Sequence, residues 1–293
     1  MLKYQYRIVL LFFLITMPTI GRAQSNIDSH QHKFGIILIN DTLFETDKDY
    51  TGSVGVYYKF KSYPLLIKYQ IDAYTPSTKY KELTVPPEGE HPYAGFEFFG
   101  TEYKILKDEF LLSLRLQMGT TGNNSYAKEL QDIIHNSLNQ SAFAGWNSQI
   151  QTKFGYVFNP QLEYIFNTKY FTFLPTISAK FGNLLSTQTI GMQLLSGVNY
   201  NKDFLFTNFS RKPNYNIFIS YKISNISKNV FLTGFEGYEY GVYIISPISE
   251  LKIVFDIQYK SCGITLQNHY QTKEYKSQKN SNRFSTLILY YIF

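Results

Sequence analysis

Residues 281–293 read SNRFSTLILYYIF. Leu287, Leu289, Tyr291 and Phe293 fall at every second position. A strand sends successive side chains to opposite faces, so these residues line one face of an extended segment. The period recurs upstream. Ile253, Phe255, Ile257 and Tyr259 alternate with Lys252, Asp256, Gln258 and Lys260. Phe110, Leu112, Leu114, Leu116 and Met118 oppose Ser113, Arg115 and Gln117, and Val54, Val56, Tyr58 and Phe60 oppose Thr51, Ser53, Gly55, Tyr57 and Lys59. A buried sandwich would also alternate. Long charged side chains on the second face, such as Arg115, Lys68 and Asp72, are costly in a dry core and suited to a wet lumen. The alternation therefore predicts an all-β fold, a transmembrane antiparallel β-barrel of about 12 strands.

Ends and composition agree with this. Lys3 and Arg7 give a basic start, IVLLFFLITM follows, and Gly21-Arg22-Ala23 has the small-x-small pattern of a cleavage site. Residues 1–23 are expected to be a secretory signal peptide and 24–293 a single barrel domain. No other stretch approaches the roughly 20 apolar residues of a spanning helix. The chain nonetheless holds 26 Tyr and 25 Phe, which a barrel spends on its lipid face while every second residue stays polar. The terminal Phe293 and its period-two partners resemble the closing strand of bacterial outer-membrane barrels, so the expected location is the bacterial outer membrane. Cys262 is the single cysteine, which excludes an internal disulfide. The formal charge is +6, but Lys3, Arg7 and Arg22 would leave with the leader. The remaining surplus does not argue for nucleic acid and suits a phosphate-rich lipid surface. A monomer is expected.

Strands are expected near 33–40, 50–60, 63–74, 92–106, 109–119, 148–166, 169–182, 186–201, 214–225, 236–246, 250–272 and 284–293. Connections after even strands are mostly short, and those after odd strands include the long ones, 41–49, 75–91 and 120–147, with 201–213 the exception. Barrels of this kind carry short periplasmic turns and long external loops, so the long early loops share the external rim. Within 120–147 the period changes. Tyr126, Leu130, Ile133, Ile134 and Leu138 recur at helical spacing, and Asn124 or Ser125 offers a cap, so a short extracellular-loop helix is expected near 124–140. Gln131 and His135, four residues apart, project from one face of it.

The polar residues of three loops therefore converge at one rim: Asn40 and Asp41 with Thr51; Lys79, Lys81 and His91; Gln131 and His135. At these residues the chain resembles the outer-membrane lipid A 3′-O-deacylases, the LpxR-type family. The resemblance rests on Asn40-Asp41, Asp49-Tyr50-Thr51, Tyr74-Thr75-Pro76-Ser77, Pro92-Tyr93-Ala94-Gly95, Gly119-x-x-Gly122, Gln131-x-x-x-His135 and Trp146-Asn147-x-Gln149, in that order. It implies hydrolysis of the 3′-linked acyloxyacyl ester of lipopolysaccharide at the outer leaflet, with lipid A as substrate. It implies that His135 is the general base on a helix shared with Gln131, that Lys81 and Thr51 meet the substrate or its oxyanion, and that Asn40 and Asp41 hold calcium. Two departures stand out. Ser141 and Ala142 occupy positions where family members can carry an acid, and His91 stands where an arginine often precedes Pro-Tyr-Ala-Gly.

Plainer roles fit the same residues. Asn-Asp after a strand is a common turn opener, Thr51 has the lumen-facing parity of its strand, and Lys81 suits a solvated loop. Trp146 suits the interfacial aromatic girdle. His30, His32, His91 and His269 have no assigned role. No G-x-S-x-G elbow is present, and Ser53 lies inside a strand, so activated water is preferred to a covalent serine. The alternatives are a phospholipase or other outer-membrane esterase, and a non-catalytic pore, adhesin or degenerate relative whose narrow lumen is plugged by pairs among Arg115, Lys68, Asp72, Glu97, Glu163 and Asp256.

Overall fold

The computed structural model describes residues 32–41, 49–60, 63–137, 139, 141–198, 210–237 and 239–293. The expected signal peptide, Leu138 and most of the 201–213 connection lie outside them. The strands are β1 (Lys33–Asn40), β2 (Asp49–Lys59), β3 (Leu65–Thr75), β4 (Ala94–Lys107), β5 (Phe110–Thr121), β6 (Phe154–Tyr164), β7 (Thr172–Gly182), β8 (Leu185–Val198), β9 (Ser210–Asn229), β10 (Ile248–Lys260), β11 (Cys262–Gln271) and β12 (Asn282–Ile292). The two-residue segment Phe166–Asn167 extends the β6–β7 hairpin. Each strand pairs antiparallel with its neighbours in sequence, and β1 pairs with β12 from Lys33↔Ile292 to Asn40↔Ser285. The result is a closed 12-stranded antiparallel barrel with no free edge.

The expected number of strands holds, but two of the expected boundaries exchange. The segment 250–272 is a hairpin, β10 and β11, reversing at Ser261 after Lys260 takes a left-handed φ of 51°. No Gly, Pro or Asn marks that reversal, which is why one long strand was expected. The expected strand 236–246 is instead loop. Gly234, Gly237 and Gly241 take positive φ values of 79°, 82° and 66°, which no strand accommodates, and a helical turn α2 (Val230–Thr233), capped by the Asn229 side chain, precedes them. Strand six starts at Phe154 rather than 148, because Ala144–Ser148 forms a 3₁₀ turn.

Side chains sort by parity. Phe34, Ile36, Ile67, Phe99, Phe110, Tyr156, Ile177, Ile190, Ile219, Phe255 and Leu289 are exposed and form the lipid-facing band. The inward face is polar and internally paired. Arg115 meets Glu102 (3.3 Å) and Gln161 (2.9 Å), Gln193 donates to Glu163 (2.6 Å), Thr265 and Tyr290 donate to Asp256, and Gln70 donates to Asp72 (2.6 Å). Glu97, expected in the lumen, points outward, on the face of β4 it shares with the exposed Phe99; the Tyr69 hydroxyl donates to it at 2.5 Å. In this strand the aromatics Phe96 and Phe98 turn inward, which reverses the usual correspondence between apolar and lipid-facing.

They do so to fill one end of the lumen. Ala94, Phe96, Phe98, Ile150, Val157, Leu184, Val230, Phe231 and Phe235 form one buried cluster there. The loops over this rim lock together through backbone contacts: Ala144 N–H to Lys81 O (2.8 Å), Ile150 N–H to Tyr93 O (2.9 Å) and Ile245 N–H to Glu274 O (2.7 Å), with the Tyr240 hydroxyl on Ser148 O (2.9 Å).

Candidate active site on the outward wall

The helix of the long loop, α1 (Ala127–Ser137), is shorter than the expected 124–140. A 3₁₀ turn, Gly122–Ser125, leads into it, with Gly122 at φ 68° and Tyr126 at φ 55°; Ser125 bonds back to the Gly122 carbonyl rather than capping the helix. Gly122 has no room for a Cβ beside the Ile150–Thr152 backbone, so only glycine allows this crossing.

The helix rests on the outside of the barrel. The register runs Asn40↔Gly52, Gly52↔Ala73 and Ala73↔Gly95 across β1 to β4. Directly paired residues share a face, and Ala73 and Gly95 share theirs with the exposed Ile67 and Phe99. Ala127 packs in a cluster with Ala73, Tyr93, Phe143 and Trp146, and a Cβ on Gly95 would come within 2.6 Å of the Ala127 Cβ. The helix therefore sits on the small residues Ala73 and Gly95 of β3 and β4. Asn40 stands in the same row of the register, two strand spacings or about 10 Å from Ala73.

The most buried positions of α1 include two polar residues. Ala127, Gln131 and His135 are buried, one turn apart each, whereas Ile133 is 67% exposed and Tyr126 56%. Of the stripe that revealed the helix in the sequence, Leu130 and Ile134 are half-buried and Ile133 is exposed, while the polar Gln131 and His135 face the cleft.

At the cleft, His135 Nδ1 lies 2.9 Å from the Ser141 carbonyl oxygen. That carbonyl can only accept, so Nδ1 carries the proton and donates it, and the lone pair of the neutral ring is on Nε2. Phe143 packs against the imidazole, with ring centroids 5.5 Å apart. The Lys81 ammonium donates to the Ser141 hydroxyl, so one residue gathers the base and the cation. Gln131 Oε1 accepts from the Trp146 indole N–H at 2.6 Å, and Trp146 is buried against Tyr93 with ring centroids 5.3 Å apart, not placed in an interfacial girdle. Burial pushes the Tyr93 phenol up to about 12.

Of the expected site residues, the structure brings His135, Gln131 and Lys81 together. Asp41 is wholly buried beyond the end of β1, next to Asn40. An amide oxygen and a carboxylate suit calcium, which takes oxygen ligands. Among the described residues no three His, Cys, Asp or Glu side chains form a metal-sized group. Thr51 is the extra residue of a bulge in β2, between Tyr50↔Tyr74 and Gly52↔Ala73; its side chain, that of Asp49, and Asp47 lie outside the described residues. His91, at the position of the family's arginine, is buried and stacked on Tyr74, 5.8 Å between centroids, with Tyr275 at its edge. Sequence reasoning missed Ser141 as the hub: its contribution is a main-chain carbonyl, which no residue type signals.

A family model described as outer membrane protein LpxR matches residues 8–293, nearly the whole chain. The chain belongs to the LpxR family. Among solved structures, LpxR from Salmonella typhimurium matches with a TM-score of 0.78 at 18% identity, covering 89% of this chain and 100% of that one. At that identity the likeness bears on the fold, the LpxR barrel. The β domain of the Bordetella autotransporter BrkA (TM-score 0.47, 8% identity, covering 89% of this chain and 99% of that one) is far less similar, as is the KdgM porin (0.42, 6%, 89% and 99%). The curated proteins contain no significant match. An LpxR-family barrel is an outer-membrane protein, and here the polar cleft lies on the outward face of the wall rather than in the lumen.

Proposed function

We propose that this LpxR-family barrel is a lipid A 3′-O-deacylase, hydrolysing the 3′-linked acyloxyacyl ester of lipopolysaccharide in the outer leaflet, with its loop-bearing rim outside the cell. The observation that carries the reading is the position of His135: a histidine with Nε2 as its basic nitrogen, beside a lysine, in a cleft on the lipid-facing side of the wall. A lipid ester reaches such a cleft without leaving the membrane.

In this reading His135 Nε2 takes a proton from water as the water oxygen bonds to the ester carbonyl carbon. The tetrahedral intermediate then expels the 3′ sugar oxygen, which receives that proton from His135, giving a free fatty acid and a sugar hydroxyl. The Ser141 carbonyl holds the ring in the required tautomer and steadies the imidazolium while it exists. Lys81 places a positive charge near the developing oxyanion or a lipid phosphate. Thr51, on the β2 bulge at the same rim, contacts the substrate. Asn40 and Asp41 are the residues that would hold a calcium ion, whose charge would polarise the ester carbonyl. Gln131 faces the same cleft one helical turn from His135.

Mass spectrometry of lipid A from cells expressing the chain tests this. The 3′-acyloxyacyl group is lost with the wild type and retained with His135→Ala. Lipid A left unchanged by a folded wild-type barrel would refute it. Release of fatty acid from phospholipid instead would support the esterase alternative. The buried aromatic cluster at the mouth, together with the paired lumen charges, speaks against a conducting pore.

A further inference from the structure

We infer that Trp146 is a positioning residue for this hydrolysis: its indole N–H grips the Gln131 side chain by the oxygen, so that Gln131 Nε2 is presented to the carbonyl oxygen of the scissile ester. The inference rests on the deacylase reading and adds to it a neutral oxyanion donor and the residue that aims it.

The chemistry of the pair decides the orientation. An indole N–H donates and has no lone pair to accept with. The Gln131 amide must therefore turn its oxygen to Trp146, as the 2.6 Å contact records, and its NH₂ group away from it. Turned the other way, two donors would meet. Gln131 is 4% exposed and Trp146 1%, so neither end of the bond is exchanged freely with water. Gln131 Nε2 is itself buried, with no acceptor among the described residues. A buried donor without an acceptor costs folding free energy, and a ligand oxygen is one partner that would relieve that cost.

The spare donor is well placed. Gln131 and His135 are adjacent on the buried face of α1, one turn apart, so their Cβ atoms are about 5–6 Å from each other. A tetrahedral carbon between them has its attacking oxygen toward the base and its charged oxygen toward the amide. Trp146 is held in turn by the Tyr93 ring and by the 3₁₀ turn Ala144–Ser148, which the Ser148 hydroxyl closes on the Gly145 carbonyl at 2.8 Å. Since that turn packs outside β3 and β4 with the indole buried, the single tryptophan of the chain serves the cleft.

A mutant cycle on the purified barrel in detergent micelles, with lipid A as substrate, tests the inference. Trp146→Phe keeps an aromatic ring, smaller than the indole, and removes the N–H; kcat falls by about 10-fold with KM unchanged. Gln131→Met lowers kcat by about 10²-fold, the usual cost of an oxyanion donor. The double variant is no slower than Gln131→Met, because Trp146 acts through Gln131. A further loss in the double variant, or wild-type kcat in Trp146→Phe, would overturn the inference. A second readout needs no activity. With one tryptophan, ¹⁵N-indole labelling gives one side-chain signal. Its proton resonance shifts upfield in Gln131→Met when the hydrogen bond is lost; an unmoved signal overturns the contact. A barrel with the shift but no action on lipid A would refute the deacylase reading instead.

Discussion

His135 depends for its tautomer on one main-chain oxygen, that of Ser141. The carbonyl survives any side-chain change there, whereas the Ser141 hydroxyl serves Lys81 alone among the contacts described. The two functions can thus be separated. Ser141→Ala is expected to raise KM a few-fold while kcat stays near wild type, and Lys81→Ala to raise it at least as much. His135→Ala is expected to lower kcat by about 10³-fold, within the range for loss of a general base. Steady-state assays on the three variants check this, and a Ser141→Ala enzyme as slow as His135→Ala would contradict the orientation argument. The serine at a position where relatives can carry an acid is therefore compatible with the base, and it leaves Asn40 and Asp41 as the donors proposed for the ion.

At the scale of the element, α1 places two polar side chains, Gln131 and His135, at its most buried positions. Its position depends on small residues beneath it, Gly95 above all, because a side chain there would occupy the space of Ala127. Gly95→Val is expected to lift the helix from the wall and abolish activity while the barrel persists. Faster proteolysis within 122–153, alongside an unchanged thermal transition of the barrel, is the measurable result. The cluster of Tyr93, Phe143 and Trp146 holds the other end; truncating Trp146 to Ala would cost about 3–5 kcal/mol, as for other buried aromatics. This cluster also gives a pH limit. The Tyr93 phenol ionises near 10 in the unfolded chain and near 12 in the folded one. The neutral phenol's contribution is complete below pH 10 and is lost as pH rises toward 12, so the loop loosens in that window. Tryptophan fluorescence against pH follows it, and Tyr93→Phe removes the dependence.

The whole molecule separates a closed lumen from an open outer cleft. Charged pairs such as Arg115–Glu102 fill the lumen, and the aromatic cluster closes its loop-bearing end. In planar bilayers the wild type is expected to show no steady conductance. Replacing Phe231 and Phe235 by Ser removes the centre of the cluster and is expected to produce open-channel steps. A wild type that conducts steadily would overturn this account of the mouth. The interlocked loops also explain how the β3–β4 and β5–β6 connections meet at one cleft: backbone bonds tie 76–93 to 122–153, and Tyr240 ties the latter to the β9–β10 connection.

The sequence by itself determined the class and the wall. Period-two alternation is local, so most strands and their two faces are written residue by residue, and parity then brings the long early loops to one rim. The same local signals gave Gln131 and His135 a common helical face. Where the local signal was weak the boundaries moved: Lys260-Ser261 turns without a turn residue, and the glycines of 234–241 interrupt an otherwise strand-like run. Tertiary structure alone decided the rest. The outward turn of Glu97, the burial of the helix's polar residues, the Ser141 carbonyl under His135 and the Trp146 N–H on Gln131 depend on which surface meets which beyond the local repeat of a strand or helix. Packing of Ala127 on the small residues Ala73 and Gly95 of β3 and β4 set the orientation of α1. Buried polar groups must find partners wherever the fold places them, and main-chain acceptors carry no sequence signature.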